Sequence, residues 1–347
     1  MAIDSGRTIR ASVGVGCAPL LALLVAINAA AWTYALITFH QAPLLLGTAL
    51  LAWSLGLRHA VDADHIAAID NVTRKLMHEG KRTETVGLFF SLGHSSVVFL
   101  ASLAVALGVL ELRRGTEIQL VGGLLGTALS ATFLLLIAMA NSLVLSRIWR
   151  AWRLVKAGQH VEGEIDGTAS GPMAHLLRRV FGLIRTSWHM LPLGFLFGLG
   201  FDTATEIALL AISASAASHG VATASILIFP ILFAAGMILI DTLDSILMTN
   251  AYGWALANPA RKLTYNMAVT LISVVVALLI SGIEILGLAS DKLKLTTGFW
   301  SVMAGLGNHM PLLGCSLIAL FAVAWLVALL SQRVEKQRAA INVPATV

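Results

Sequence analysis

Nine consecutive residues, Arg58-His59-Ala60-Val61-Asp62-Ala63-Asp64-His65-Ile66, put two imidazoles and two carboxylates at the end of an apolar run. Neutral nitrogen and anionic oxygen donors together suit a divalent first-row ion such as nickel, cobalt, zinc or copper better than magnesium or calcium. Three further clusters interrupt other apolar runs. Phe89-Phe90-Ser91-Leu92-Gly93-His94-Ser95-Ser96-Val97-Val98 carries an imidazole and three hydroxyls. Leu199-Gly200-Phe201-Asp202-Thr203-Ala204-Thr205-Glu206 and Gly236-Met237-Ile238-Leu239-Ile240-Asp241-Thr242-Leu243-Asp244-Ser245 carry carboxylates and hydroxyls.

The elements that must position these groups are membrane helices. The 347 residues are 58% hydrophobic and 12% charged, with a mean hydropathy of +0.86, far too apolar for a soluble domain. Runs near the ~20 residues that cross a bilayer fall at roughly 14–38, 43–66, 84–110, 119–145, 188–216, 222–250, 264–288 and 312–331. The expectation is an all-α polytopic membrane protein of about eight transmembrane helices forming one transporter domain. Its parts are an N-terminal half (1–146), a polar, glycine-rich linker (147–187), a C-terminal half (188–331) and a tail (332–347). The first run is too long for a removable signal peptide and reads as a true span.

Basic residues orient the chain. With both termini in the cytoplasm, 18 of the 23 Lys and Arg lie on the inner side, four on the outer side, and Arg58 within a helix. The net charge of +5 follows from this bias and gives nucleic-acid binding little support. Cys17 and Cys315 have no CxxC spacing, so they read as packing residues. His160 and His175 in the linker read as solvated, and Gly122-x-x-x-Gly126 and Gly194-x-x-x-Gly198 as helix-packing seams.

Six carboxylates, Asp62, Asp64, Asp202, Glu206, Asp241 and Asp244, fall within spans. At the insertion-derived cost they would lose about 15–20 kcal/mol if dry and unpaired. They therefore face a hydrated interior, hold protons or bind a cation, and the acidic surplus predicts a positively charged cargo. On a regular helix His59, Asp62 and His65 share one arc while Asp64 points away, so the helix is distorted or Asp64 has a second role. Asp202, Thr205 and Glu206 share a face, as do Asp241 and Asp244, and they are read as a translocation pathway. Asp70, beside Asn71, Arg74 and Lys75, reads as a helix-end group. Leu55-Gly56-Leu57-Arg58-His59-Ala60 aligns with Leu199-Gly200-Phe201-Asp202-Thr203-Ala204, an echo that suggests two inverted halves with the site between them. No phosphate-loop motif occurs, which argues against an intrinsic ATPase, and no HExxH pair supports a membrane metalloenzyme.

The four polar strings together resemble the signatures of the nickel/cobalt transporter (NiCoT) family, and the resemblance spans most of the chain. It implies an eight-helix bacterial inner-membrane permease that imports nickel, with cobalt as a secondary substrate, without ATP, ATPase subunit or resident cofactor. It also implies that His59, Asp62, Asp64, His65 and His94 bind metal. Val61 occupies a position where valine accompanies nickel preference and phenylalanine accompanies cobalt transport, so it implies selectivity. An efflux carrier using the same ligands is the alternative.

Overall fold

A computed structural model describes residues 5–108, 112–156, 182–200, 204–256, 259–295, 297–307, 309–319 and 323, and these are helical with short turns. In chain order the helices are α1 (Ser5–Phe39), α2 (Pro43–Ala60), α3 (Ala63–His78), α4 (Val86–Ala106), α5 (Leu112–Lys156), α6 (Met190–Gly198), α7 (Ala204–Ser218), α8 (Ile228–Leu256), α9 (Pro259–Leu293), α10 (Phe299–Gly307) and α11 (Met310–Ala319). Five stretches are long and apolar enough to cross a membrane: Cys17–Phe39, Val86–Ala106, Leu124–Leu154, Thr223–Ala251 and Thr270–Leu293. A sixth is the pair α2 and α3, bent by 53°.

The chain is thus a polytopic all-α membrane protein, and two of the eight expected runs are broken rather than straight. The run 188–216 divides into α6 and α7, and α7 is a shorter apolar helix. Of the run 312–331, only residues 312–319 and 323 are among those described. α5 continues unbroken to Lys156, past the expected end of the N-terminal half at 146. His160, His175 and the tail lie outside the described residues.

The break between α2 and α3 has a local cause. Pro43 starts α2 with its missing N–H where no acceptor is needed. At the other end, the Val61 and Asp62 amides donate back to the Arg58 and His59 carbonyls, and Asp62 turns extended at φ −67°, ψ 144°. α3 then restarts, with Asp64 Oδ1 accepting the His65 amide at 2.9 Å. Short acidic side chains compete for backbone donors in this way and favour helix N-termini, where the positive dipole end meets their charge.

Two reciprocal close crossings join helices of the two halves. At one, Gly56 of α2 lies on the Phe233 carbonyl of α8, and Gly236 of α8 lies on the Trp53 carbonyl of α2. At the other, Gly194 of α6 lies on the Phe90 carbonyl of α4, and Gly93 of α4 lies on the Leu191 carbonyl of α6. A Cβ at any of the four would overlap partner backbone. Each crossing therefore pairs two x-x-x-Gly segments reciprocally, the small-residue contact that membrane helices use to approach closely. This packing matches Gly56 with Gly194, six residues before the Gly200 that the sequence echo aligns with it. The matched helices α4 and α8 are antiparallel, since Thr83 meets Thr249, Gly87 meets Ser245 and Ser91 meets Asp241. That is the relation an inverted repeat requires.

A candidate metal site at two broken helices

The break in α2–α3 and the crossings deliver three imidazoles to one buried point. His59 ends α2, His65 lies in the first turn of α3, and His94 is held on α4, where Gly198 of α6 rests on its carbonyl. All three are buried, and one nitrogen from each lies within 4.8 Å of the others. His59 Nε2 and His94 Nε2 are 2.9 Å apart. Two nitrogens bound at about 2.0–2.1 Å to one ion and subtending a right angle sit about that far apart.

Glu206, in the first turn of α7, completes the set. Its Oε1 is 3.0 Å from His94 Nε2 and 3.8 Å from His59 Nε2. The sequence reading places Glu206 in a pathway, whereas here it stands beside the imidazoles. Both broken elements thus contribute, α2–α3 with two histidines and α7 with a carboxylate.

Groups behind the imidazoles fix their orientation. Asp241 Oδ2 faces His65 Nδ1 at 3.3 Å and accepts the Ser91 hydroxyl at 2.6 Å. Thr205 Oγ1 faces His59 Nδ1 at 3.2 Å. When these Nδ1 atoms carry the protons, both rings turn Nε2 toward the shared point, the arrangement by which outer carboxylates orient metal-binding histidines. Among the described residues, His65 Nε2 has no hydrogen-bond partner although it is fully buried. The phenylalanines of the two crossings form the walls, with Phe90 4.8 Å from the His65 ring and Phe233 5.5 Å from the His59 ring.

The remaining residues singled out in the sequence divide by position. Asp62, at the break, places Oδ2 4.0 Å from His59 Nδ1. Asp64 is half-buried and engages the backbone of its own turn. Asp244 is buried one turn beyond Asp241. Asp202 lies outside the described residues. The Val61 carbonyl, at the break, packs against Gly314 of α11, where a Cβ would overlap it.

Two acidic residues were missed. Asp70 is buried rather than at a helix end, and it accepts the Ser273 hydroxyl at 3.1 Å. Its neighbours Arg74 and Lys75 suggested an aqueous edge, but Arg74 is itself buried. Glu284 of α9 accepts the Ser130 hydroxyl of α5 at 3.0 Å. Its signal was available, a lone carboxylate within the apolar stretch Val274–Leu288.

Comparison with known proteins shows the family. Residues 45–331 match the family NicO, high-affinity nickel-transport protein. A high-affinity nickel transport protein of Cupriavidus necator is 52% identical over 91% of this chain and 92% of its own length. The nickel transporter NixA of Staphylococcus aureus is 44% identical over 89% and 92%, and the cobalt transport protein NhlF of Rhodococcus rhodochrous is 42% identical over 85% of each. No solved structure matches. A buried imidazole cluster inside a bundle of membrane helices, with similarity running nearly end to end, leaves one assignment: this chain is a member of the high-affinity nickel-transport protein family, a family of transporters and not of enzymes.

Proposed function

We propose that this protein imports nickel(II) across the bacterial inner membrane as an ATP-independent permease, with cobalt as a secondary cargo and both termini in the cytoplasm. The observation that carries the reading is the convergence of His59, His65, His94 and Glu206 inside a membrane bundle, beside buried Asp241 and Asp244. The names of the relatives from Cupriavidus necator and Rhodococcus rhodochrous support nickel and cobalt in that order of similarity.

The chemistry follows from the donors. A hydrated nickel ion entering from outside exchanges water for His59, His65 and His94, the first pre-aimed by Thr205 and the second by Asp241. Glu206 and Asp62 supply negative charge at the same point. Asp241 and Asp244 then offer the ion successive acidic positions along α8, and Val61 at the break tunes the choice between nickel and cobalt. Inward movement of a doubly charged ion down 100 mV releases about 4.6 kcal/mol, enough for roughly three decades of accumulation without ATP.

Radioactive-nickel accumulation in cells expressing the protein tests this. Import predicts more cell-associated nickel than in control cells at trace concentration, and its loss in His59→Ala and His94→Ala. Depletion relative to control cells would identify an exporter. Full high-affinity uptake by both variants would remove the imidazole site from the mechanism.

A further inference from the structure

The buried acidic line does not end at Asp241. One turn further along α8, Asp244 is 5% exposed, and neither of its carboxylate oxygens has a hydrogen-bond partner among the described residues. At similar depth, among the described residues, stand Asp241 on its own helix and Asp70 of α3, a helix packed against α8. Both are acidic. Asp70 is 2% exposed and is steadied by the Ser273 hydroxyl of α9. Arg74, one turn beyond Asp70, is also buried, but its Nη2 is directed to Asn71 Oδ1 at 3.5 Å and its Nη1 has no hydrogen-bond partner among the described residues.

Helix geometry sets this carboxylate pair apart from the imidazoles. Asp244 lies about 4.5 Å along α8 from Asp241, and Asp70 about 7.5 Å along α3 from His65. Both steps run toward the end of the bundle where Thr83 meets Thr249. A carboxylate with two open acceptors, buried in the field of two others, is poorly placed for an anion and well placed for a cation.

We propose that Asp70 and Asp244 form a second cation site, built from oxygen donors alone, to which the divalent ion passes from the imidazoles. This rests on the transport reading above and adds a station to it. Oxygen donors hold nickel and cobalt less tightly than imidazole nitrogens do and allow the ion to keep some of its water. Two sites in series, the second weaker, let an ion be captured firmly and still leave, the balance that conduction through multi-ion pathways requires.

Cobalt(II) titration of the purified full chain in lipid nanodiscs, followed by calorimetry and visible absorption, tests the proposal. Wild type should bind two equivalents, one of them giving the stronger ligand-field band of nitrogen coordination. Asp244→Asn and Asp70→Asn should each bind one equivalent with that band unchanged. Asp244→Glu, which keeps the carboxylate, should retain two and so excludes misfolding as the cause. His94→Ala should lose the band and keep one equivalent. A single equivalent in wild type, or two in Asp244→Asn, would overturn the second site while leaving the imidazole site intact. Binding of no equivalent by wild type would overturn the transport reading with it.

Discussion

His65 shows how much one side chain depends on what stands behind it. Its ring lies 4.7 Å from those of both His59 and His94, and its Nδ1 is engaged by Asp241, which is itself fixed by Ser91. Losing such an outer carboxylate commonly costs 10–100-fold in metal affinity although the metal-binding atoms remain. Asp241→Asn should therefore weaken nickel binding by about that factor, read as a displaced binding curve on purified protein. Ser91→Ala should shift the curve less in the same direction, and equal effects would show that the hydroxyl, not the carboxylate, sets the ring. The imidazoles were legible in the sequence because histidine in an apolar run has few structural uses. Glu206 beside them was not, since its distance to His94 depends on where α7 restarts. Asp70 was misread because its neighbours are basic, and composition does not reveal that α3, α8 and α9 enclose it.

Breaks and crossings divide the work between them at the scale of the element. Breaks place side chains from successive helices at one depth, and crossings fix how closely the helices approach. A methyl group at Gly56 or Gly194 would meet a carbonyl of the partner backbone, which cannot turn aside as a side chain can. Gly56→Ala and Gly194→Ala should each destabilise the protein by about 1–3 kcal/mol, the usual cost of overpacking, seen as a lower midpoint of thermal unfolding in detergent. Gly47→Ala is the internal control. A Cβ there meets open space, and alanine's higher helix propensity should leave the midpoint unchanged or raised. Hydropathy located the spans well but not their interruptions, because the residues at both breaks sit within apolar windows whose average hides them. The register of the internal echo was likewise out of reach, since Leu-Gly occurs at both 193–194 and 199–200 and only packing distinguishes them.

Across the whole molecule, the crossings join elements from different ends of the sequence, α2 with α8 and α4 with α6. The two pairs meet along the antiparallel contact of α4 with α8, where Gly87 lies on the Asp241 carbonyl and the Thr83 and Thr249 hydroxyls are 2.8 Å apart. If the proposed import proceeds by alternating access, one pair moves against the other and that contact is the seam that opens. Cysteines at Thr83 and Thr249, in a chain with Cys17 and Cys315 replaced, should form a disulfide on oxidation. Nickel uptake should stop while nickel binding persists, and reduction should restore it. Uptake at the full rate through the oxidised protein would place the moving seam elsewhere.

The same interleaving governs how the protein is made. A ribosome that has released α1 to α5 into the membrane has already supplied His59, His65 and His94, but Glu206 and Asp241 are still to be translated. Until α6 and α8 insert, Gly56 and Gly93 have no partner to rest against, and the crossings that hold α2 and α4 in place are not yet made. If the site binds nickel as proposed, affinity should develop only once the second half has inserted.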